Sequence, residues 1–168
     1  PKLGKTTIAR DIARSAGSGV GLLPCRVSLI DERQELAASL YGYPLFDVGR
    51  ETDVISGVIK ATGVFMALRS LSPEVIITDE IGNPEDLEAL KEVANSGVVM
   101  IATAHAPSLE SLLNRLFFRN LFNARLFDAY VVLSEELGRI TVAQVHDAAG
   151  NPQIDKPFRL ISPEAVAV

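Results

Sequence analysis

At 168 residues the chain is long enough for one sizeable core and little more. Hydrophobic residues make up 48% of it, aromatics 6%, and tryptophan is absent, the balance of an aliphatic α/β interior. A net charge of −5 disfavours a general nucleic-acid-binding surface, the single cysteine (Cys25) excludes an internal disulfide or a cysteine metal centre, and no apolar stretch approaches the roughly 18 residues of a spanning helix.

Gly4-Lys5-Thr6-Thr7 is the second half of the phosphate-binding pattern G-x-x-x-x-G-K-[ST], whose first glycine would fall two residues before Pro1. In that pattern main-chain N–H groups around Gly4 cradle phosphate oxygens, Lys5 reaches the β- and γ-phosphates, and the Thr6 hydroxyl ligates Mg²⁺. Thr6 to Gly17 predicts the helix that follows, its apolar stripe formed by Ile8 and Ile12 with Ala9, Ala13 and Ala16 behind them. Val27 to Ile30 predicts a strand that delivers Asp31-Glu32-Arg33 at its end. Residues 41–63, rich in glycine, proline and polar side chains, read as a long excursion of the kind that serves active sites. Val64 to Ser70 predicts a helix. Val75 to Thr78 predicts a strand buried on both faces, ending in Asp79-Glu80.

Asn83 is positioned to cap the next helix, with Pro84 at its first position, Glu85 and Asp86 at its positive end and Gly97 as its stop. Val98 to Thr103 is another apolar strand, followed by Ala104-His105. Residues 108–127 predict helix, and Tyr130 to Leu133 with Arg139 to Val145 predict a hairpin. Pro152, Pro157 and Pro163 mark residues 148–168 as an irregular tail.

Strands alternating with helices at this spacing predict a mostly parallel sheet covered on both faces, with its ligand at the carboxyl ends of the strands. Asp31, Glu32, Asp79, Glu80, Thr103 and His105 all fall at such ends. Asp79 would hold the Mg²⁺ shell and Glu80 would orient and deprotonate an attacking water. Two acids after a strand also form a common exposed turn; the upstream G-K-T-T is what gives the pair a chemical meaning. Thr103 and His105 place a donor near a γ-phosphate if their strand lies between the first strand and the acid-bearing one, whereas a satisfied loop histidine is the bland alternative. His146 carries no assigned role.

The runs G-K-T-T-I-A-R-D-I-A-R, I-D-E-R-Q-E-L-A, D-V-G-R-E-T-D-V, A-L-R-S-L-S-P-E-V-I-I-T-D-E-I-G and A-T-A-H-A resemble the stage III sporulation protein AA family. That family belongs to the ring-forming secretion ATPases, with the type II, type IV and pilus motors, and the resemblance runs from Pro1 to about Asp147. It implies a RecA-like P-loop fold, a three-layer α/β sandwich whose first strand and N-terminal domain are missing from this sequence, with residues 1–147 as the ATPase domain. It also implies ATP and Mg²⁺ as ligands and a homo-oligomeric, hexameric ring. Its partners would be membrane proteins of a sporulation-associated, secretion-like complex, and its place the cytoplasmic side of the mother-cell membrane.

Residue by residue, Gly4, Lys5, Thr6 and Thr7 match the family's nucleotide loop, and Asp79 with Glu80 its second Walker motif. Asp31, Glu32 and Arg33 match the acidic box, which makes Glu32 a further catalytic candidate; Thr103 and His105 match the histidine box. Arg69 matches an arginine that would serve the ATP site from its own or a neighbouring subunit, and Arg50 has no settled role. The runner-up is a RecA-type nucleic-acid-dependent ATPase, for which Asn114 to Phe127, with Arg115, Arg119, Arg125 and four phenylalanines, is the candidate loop. A third reading is a nucleotide-gated scaffold that does not hydrolyse.

Overall fold

Strands of four or five aliphatic residues are buried on both faces only if helices cover both sides, and Lys5–Ala104 fold in that way. A computed structural model describes residues 4–21, 23–136 and 139–154. They fall into two units, Lys5–Ala104 and, in the other, Gly4 with the residues from His105 onward.

The first unit holds a parallel sheet of β1 (Val27–Asp31), β2 (Thr52–Ser56), β3 (Val75–Thr78) and β4 (Val99–Ala102), in the order β2-β1-β3-β4. Leu29 lies opposite Ile77 and Ile30 opposite Thr78, so successive residues alternate between the two faces. Val27, Leu29 and Ile77 pack against Ala9, Ala13 and Ala16 of α1 (Lys5–Ser18). On the other face Ile30 and Ile76 meet Val64 and Ala67 of α2 (Lys60–Ser70) and Ala89 and Val93 of α3 (Asp86–Ser96). Each fully buried Leu, Ile or Val contributes about 1.5–3 kcal/mol by leaving water, so these two layers carry the stability of the unit.

Several expectations shift in detail. Helix α1 buries its alanine side completely, while Ile12 is only partly buried at the edge of that core. Small side chains let the helix lie close to the sheet. β2 occupies the stretch 41–63 expected as an excursion; it is an edge strand, partly exposed, and its Thr-Asp-Val-Ile-Ser composition lacks the aliphatic signal of its neighbours. Gly49 (φ +98°) makes this crossing possible, because a Cβ there would lie 2.9 Å from the Arg14 carbonyl. Helix α2 starts at Lys60, earlier than Val64. Helix α3 starts at Asp86, not Pro84: the Asp86 carboxylate accepts the N–H groups of Gly82 and Asn83 at 3.1 and 3.0 Å and holds them in a preceding turn. Gly97 (φ +73°) ends it as expected. β4 pairs directly with β3 and is an edge strand among the described residues.

In the second unit Ser108 caps α4 (Leu109–Leu113), its hydroxyl accepting the Ser111 N–H at 3.1 Å, and α5 (Leu116–Asn123) follows. β5 (Ala129–Glu136) and β6 (Arg139–Asp147) form the expected antiparallel hairpin. A third strand, β7 (Pro152–Ile154), pairs with β6 inside the stretch expected to be irregular; residues 155–168 lie outside the described residues. The Asp147 carboxylate organises that turn, accepting the N–H groups of Ala149 and Asn151 and the side-chain amides of Asn151 and Gln153.

The aromatic residues proposed for nucleic-acid contact are used in packing. Phe118 is buried with Leu121, Phe117 meets Phe118 edge-on at 5.0 Å, and Phe122 and Phe127 flank the Tyr130 ring. Arg119 Nε donates to the Leu113 carbonyl at 3.2 Å.

Candidate active site

Helix α1 runs against the strand direction. Its last turn lies where β2 begins, the Gly17 carbonyl accepting the Glu51 N–H at 2.9 Å, and Arg10 donates to the carbonyls of Glu35 and Leu36, just past the end of β1. The first turn, Lys5-Thr6-Thr7, therefore points toward the carboxyl ends of the strands. Gly4 precedes it at φ +63°, a left-handed geometry that favours glycine.

Asp79 and Glu80 end β3 at the same edge. Asp79 is 4% exposed, and burial pushes its carboxyl above the ordinary range, against the pull of nearby Lys60. Glu80 is exposed, but its backbone is held at φ +27°, a strained position for a side-chain-bearing residue that costs about 1–3 kcal/mol. Three neighbours fix it. The Glu80 N–H donates to the Thr103 hydroxyl at 2.9 Å, Lys60 Nζ donates to the Glu80 carbonyl at 3.0 Å, and Arg33 Nη1 meets its carboxylate at 2.7 Å. Thr103 also accepts the Ile81 N–H through its carbonyl, and its own N–H donates to Thr78 O, so β4 is locked to the acid-bearing turn.

The acidic box divides its work. Asp31 is fully buried; its carboxylate accepts the N–H groups of Glu35, Leu36 and Ala37 at 2.9, 2.9 and 2.8 Å. It therefore shapes the loop that presents Glu32 and Arg33. Glu32 Oε2 lies 3.6 Å from Lys60 Nζ. Lys60, 4% exposed and common to Glu32 and Glu80, is the one residue here that sequence reasoning missed. Its only sequence signal is a lysine opening a helix, where the dipole disfavours a cation.

Arg69 is not brought to this edge within the chain. Nine residues of α2 separate it from Lys60, about 13.5 Å of rise and roughly half a turn of rotation. The end of α2 approaches the start of β1, where Arg26 Nε donates to the Ser72 carbonyl at 2.8 Å. Arg69 itself is exposed, its guanidinium 5.9 Å over the Phe65 ring. His105 follows Thr103 by two residues and opens the second unit.

One hydroxyl (Thr6) and one carboxylate (Asp79) are hard oxygen donors of the number Mg²⁺ takes when phosphates and water complete its shell. Among the described residues no cluster of three His, Cys, Asp or Glu side chains forms an all-protein metal cage. The donor set thus fits a magnesium ion that arrives with a nucleotide.

A family model described as "Sporulation stage III, protein AA" matches residues 1–152. The chain belongs to that family. Stage III sporulation protein AA of Bacillus subtilis (strain 168) is 43% identical over 152 residues, covering 90% of this chain and 50% of the relative. A ycf45 protein of Porphyra purpurea is 34% identical over 114 residues, and protein SEEDLING PLASTID DEVELOPMENT 1 of Arabidopsis thaliana 30% over 115; each match covers 67% of this chain, and 20% and 16% of those relatives. This member of the family thus spans half the length of its Bacillus relative and much less of the other two. Its fold is that of the VirB11 ATPase from the Brucella suis type IV secretion system, solved with sulphate: TM-score 0.58 at 18% identity, covering 87% of this chain and 45% of that one. Among the described residues no helix is long and apolar enough to cross a membrane.

Proposed function

We propose that this chain is the hydrolytic core of an ATP-driven motor, working as a homo-oligomeric, hexameric ring on a secretion-like membrane complex of sporulation. The observation that carries the reading is Glu80: an exposed carboxylate on a strained turn, pinned from three sides, directly after a buried aspartate and at the edge toward which the phosphate-loop turn points. Backbone strain of this kind clusters at active sites and switch regions, which supports the reading. Lys5 and the N–H groups of the first turn of α1 bind the β- and γ-phosphates. Glu80 takes a proton from the water that attacks the γ-phosphorus, the bond from phosphorus to the β–γ bridging oxygen breaks, and ADP and phosphate leave. Magnesium bound with ATP would be held by Thr6 and Asp79 and would share the phosphate charge.

Ring assembly is supported by the apolar turn at Leu40, Tyr41, Tyr43 and Leu45, all more than half exposed. Assembly would also give Arg69 a neighbouring site to act on. The packing of Phe117, Phe118, Phe122 and Phe127 speaks against the nucleic-acid-dependent alternative, which needs stacking faces open to bases.

The test is ATP hydrolysis by the full-length protein against concentration, with and without single-stranded DNA. Activity that rises with assembly and ignores DNA is expected; stimulation by DNA would favour the RecA-type reading. Lys5→Ala should weaken binding of a fluorescent ATP analogue, whereas Glu80→Gln should bind it and not turn over. Turnover unchanged in Glu80→Gln would move the role of base to Glu32, and no hydrolysis by the assembled wild type would favour the scaffold.

A further inference from the structure

Lys60 is a buried cation that this mechanism does not use. It opens α2, where the helix dipole repels positive charge, and it is 4% exposed, so its ammonium must be held by something stronger than helix geometry. Two contacts do so: the Glu80 carbonyl at 3.0 Å and Glu32 Oε2 at 3.6 Å. The first is the informative one. Neutralising the acids would require only proximity to their carboxylates, yet Nζ is spent on a main-chain oxygen of Glu80, a residue at positive φ.

Glu80 stands at φ +27°, and both of its main-chain polar groups are engaged from outside its strand, the N–H by Thr103 and the carbonyl by Lys60. A residue with a Cβ persists at such a φ when its surroundings over-determine it. We propose that Lys60 is a positioning residue for Glu80, its ammonium clamping the strained main chain so that the carboxylate is aimed at the attacking water. This rests on Glu80 being the base. It adds that the base works only while Lys60 holds its backbone, with Glu32 keeping Lys60 itself in register.

The experiment is a pair of mutant cycles in the full-length protein. In the first, steady-state ATP hydrolysis and fluorescent-ATP-analogue affinity are measured for Lys60→Met, Lys60→Arg, Glu80→Gln and Lys60→Met/Glu80→Gln. Lys60→Met should lower kcat on the order of 10²-fold, the scale of a misplaced catalytic group, with affinity changed less than about twofold. Lys60→Arg, which keeps charge and donors, should restore most of the rate, and Lys60→Met should cost nothing further of the residual single-turnover rate that Glu80→Gln retains. Wild-type kcat in Lys60→Met, or an equal fold-loss in both backgrounds, would overturn the proposal.

The second cycle needs no turnover. Glycine adopts φ +27° unaided, so the fall in melting temperature on Lys60→Met should shrink in a Glu80→Gly background. An equal fall in both would mean that Lys60 only balances the acids. If Lys60→Met is not recovered folded, Lys60→Gln takes its place in both cycles. Loss of the ATPase reading would appear in the wild type and Glu80→Gln alone, and the melting cycle would still decide what Lys60 does.

Discussion

Asp31 is the clearest place to separate a structural acid from a chemical one. Its buried carboxylate accepts three main-chain N–H groups, two on Oδ1 and one, from Ala37, on Oδ2. In Asp31→Asn the carbonyl oxygen can keep the first two at reduced strength, but the Ala37 N–H would face an amide donor. A hydrogen bond to a charged group contributes about 1.5–3 kcal/mol, and a buried donor left unmade costs about 1–3. Because these overlap, a loss of about 3 kcal/mol is expected. For a domain of this size that lowers the melting temperature by about 6–12 °C. The assay is thermal unfolding by circular dichroism at neutral pH, beside Mg²⁺-dependent nucleotide affinity measured well below the transition. Affinity should hold to within a few fold. An unchanged melting temperature together with lost Mg²⁺ dependence would refute the reasoning and place Asp31 in the metal shell.

Mixing Arg69→Ala subunits with Glu80→Gln subunits should restore part of the lost hydrolysis, since an interface can then pair an intact Glu80 with a neighbour's intact Arg69; a dead mixture would place Arg69 in cis, and full activity in Arg69→Ala alone would leave it structural. Tyr130 presents a buried hydroxyl with no hydrogen-bond partner, and burial raises its pKa, so Tyr130→Phe should melt at the same temperature or a few degrees higher; a clear fall would reveal a missed partner. The Asp147 carboxyl is held below its ordinary range chiefly by hydrogen bonds from Asn151. Its contribution is therefore present above the unfolded value near ~3.9 and lost as pH falls through the lower folded value, and the melting difference between wild type and Asp147→Asn should shrink from pH 5 toward pH 2. Arg33→Ala should lower the melting temperature by no more than about 4 °C, because the Arg33–Glu80 pair is half exposed and such pairs contribute about 0–1 kcal/mol; a larger fall would make the pair part of the fold.

The interior strands were legible because burial on both faces demands an unbroken aliphatic run, and Val27–Ile30 and Val75–Thr78 are such runs; β4 carries the same aliphatic signal although it lies at an edge and is only partly buried. β2 was not, because an edge strand with one partly exposed face tolerates Thr52, Asp53 and Ser56. The start of α3 was misread because Asn83-Pro84-Glu85-Asp86 satisfies the local rules for a cap equally well when Asp86 turns back to hold the loop.

The sequence alone determined which candidate groups gather at the carboxyl edge: the Gly4-Lys5-Thr6-Thr7 turn, Asp79, Glu80 and Thr103 are each marked by a local pattern of residue type at a strand or helix end. Tertiary structure decided which of those groups act on one another. That Asp31 serves three N–H groups, that Lys60 reaches the Glu80 carbonyl across twenty residues, and that Arg69 lies at the far end of α2 from that contact follow from strand order and helix direction. Periodicity along the chain carries the burial of each residue, but a hydrogen bond between distant residues depends on register and layer, which exist only once the sheet has formed.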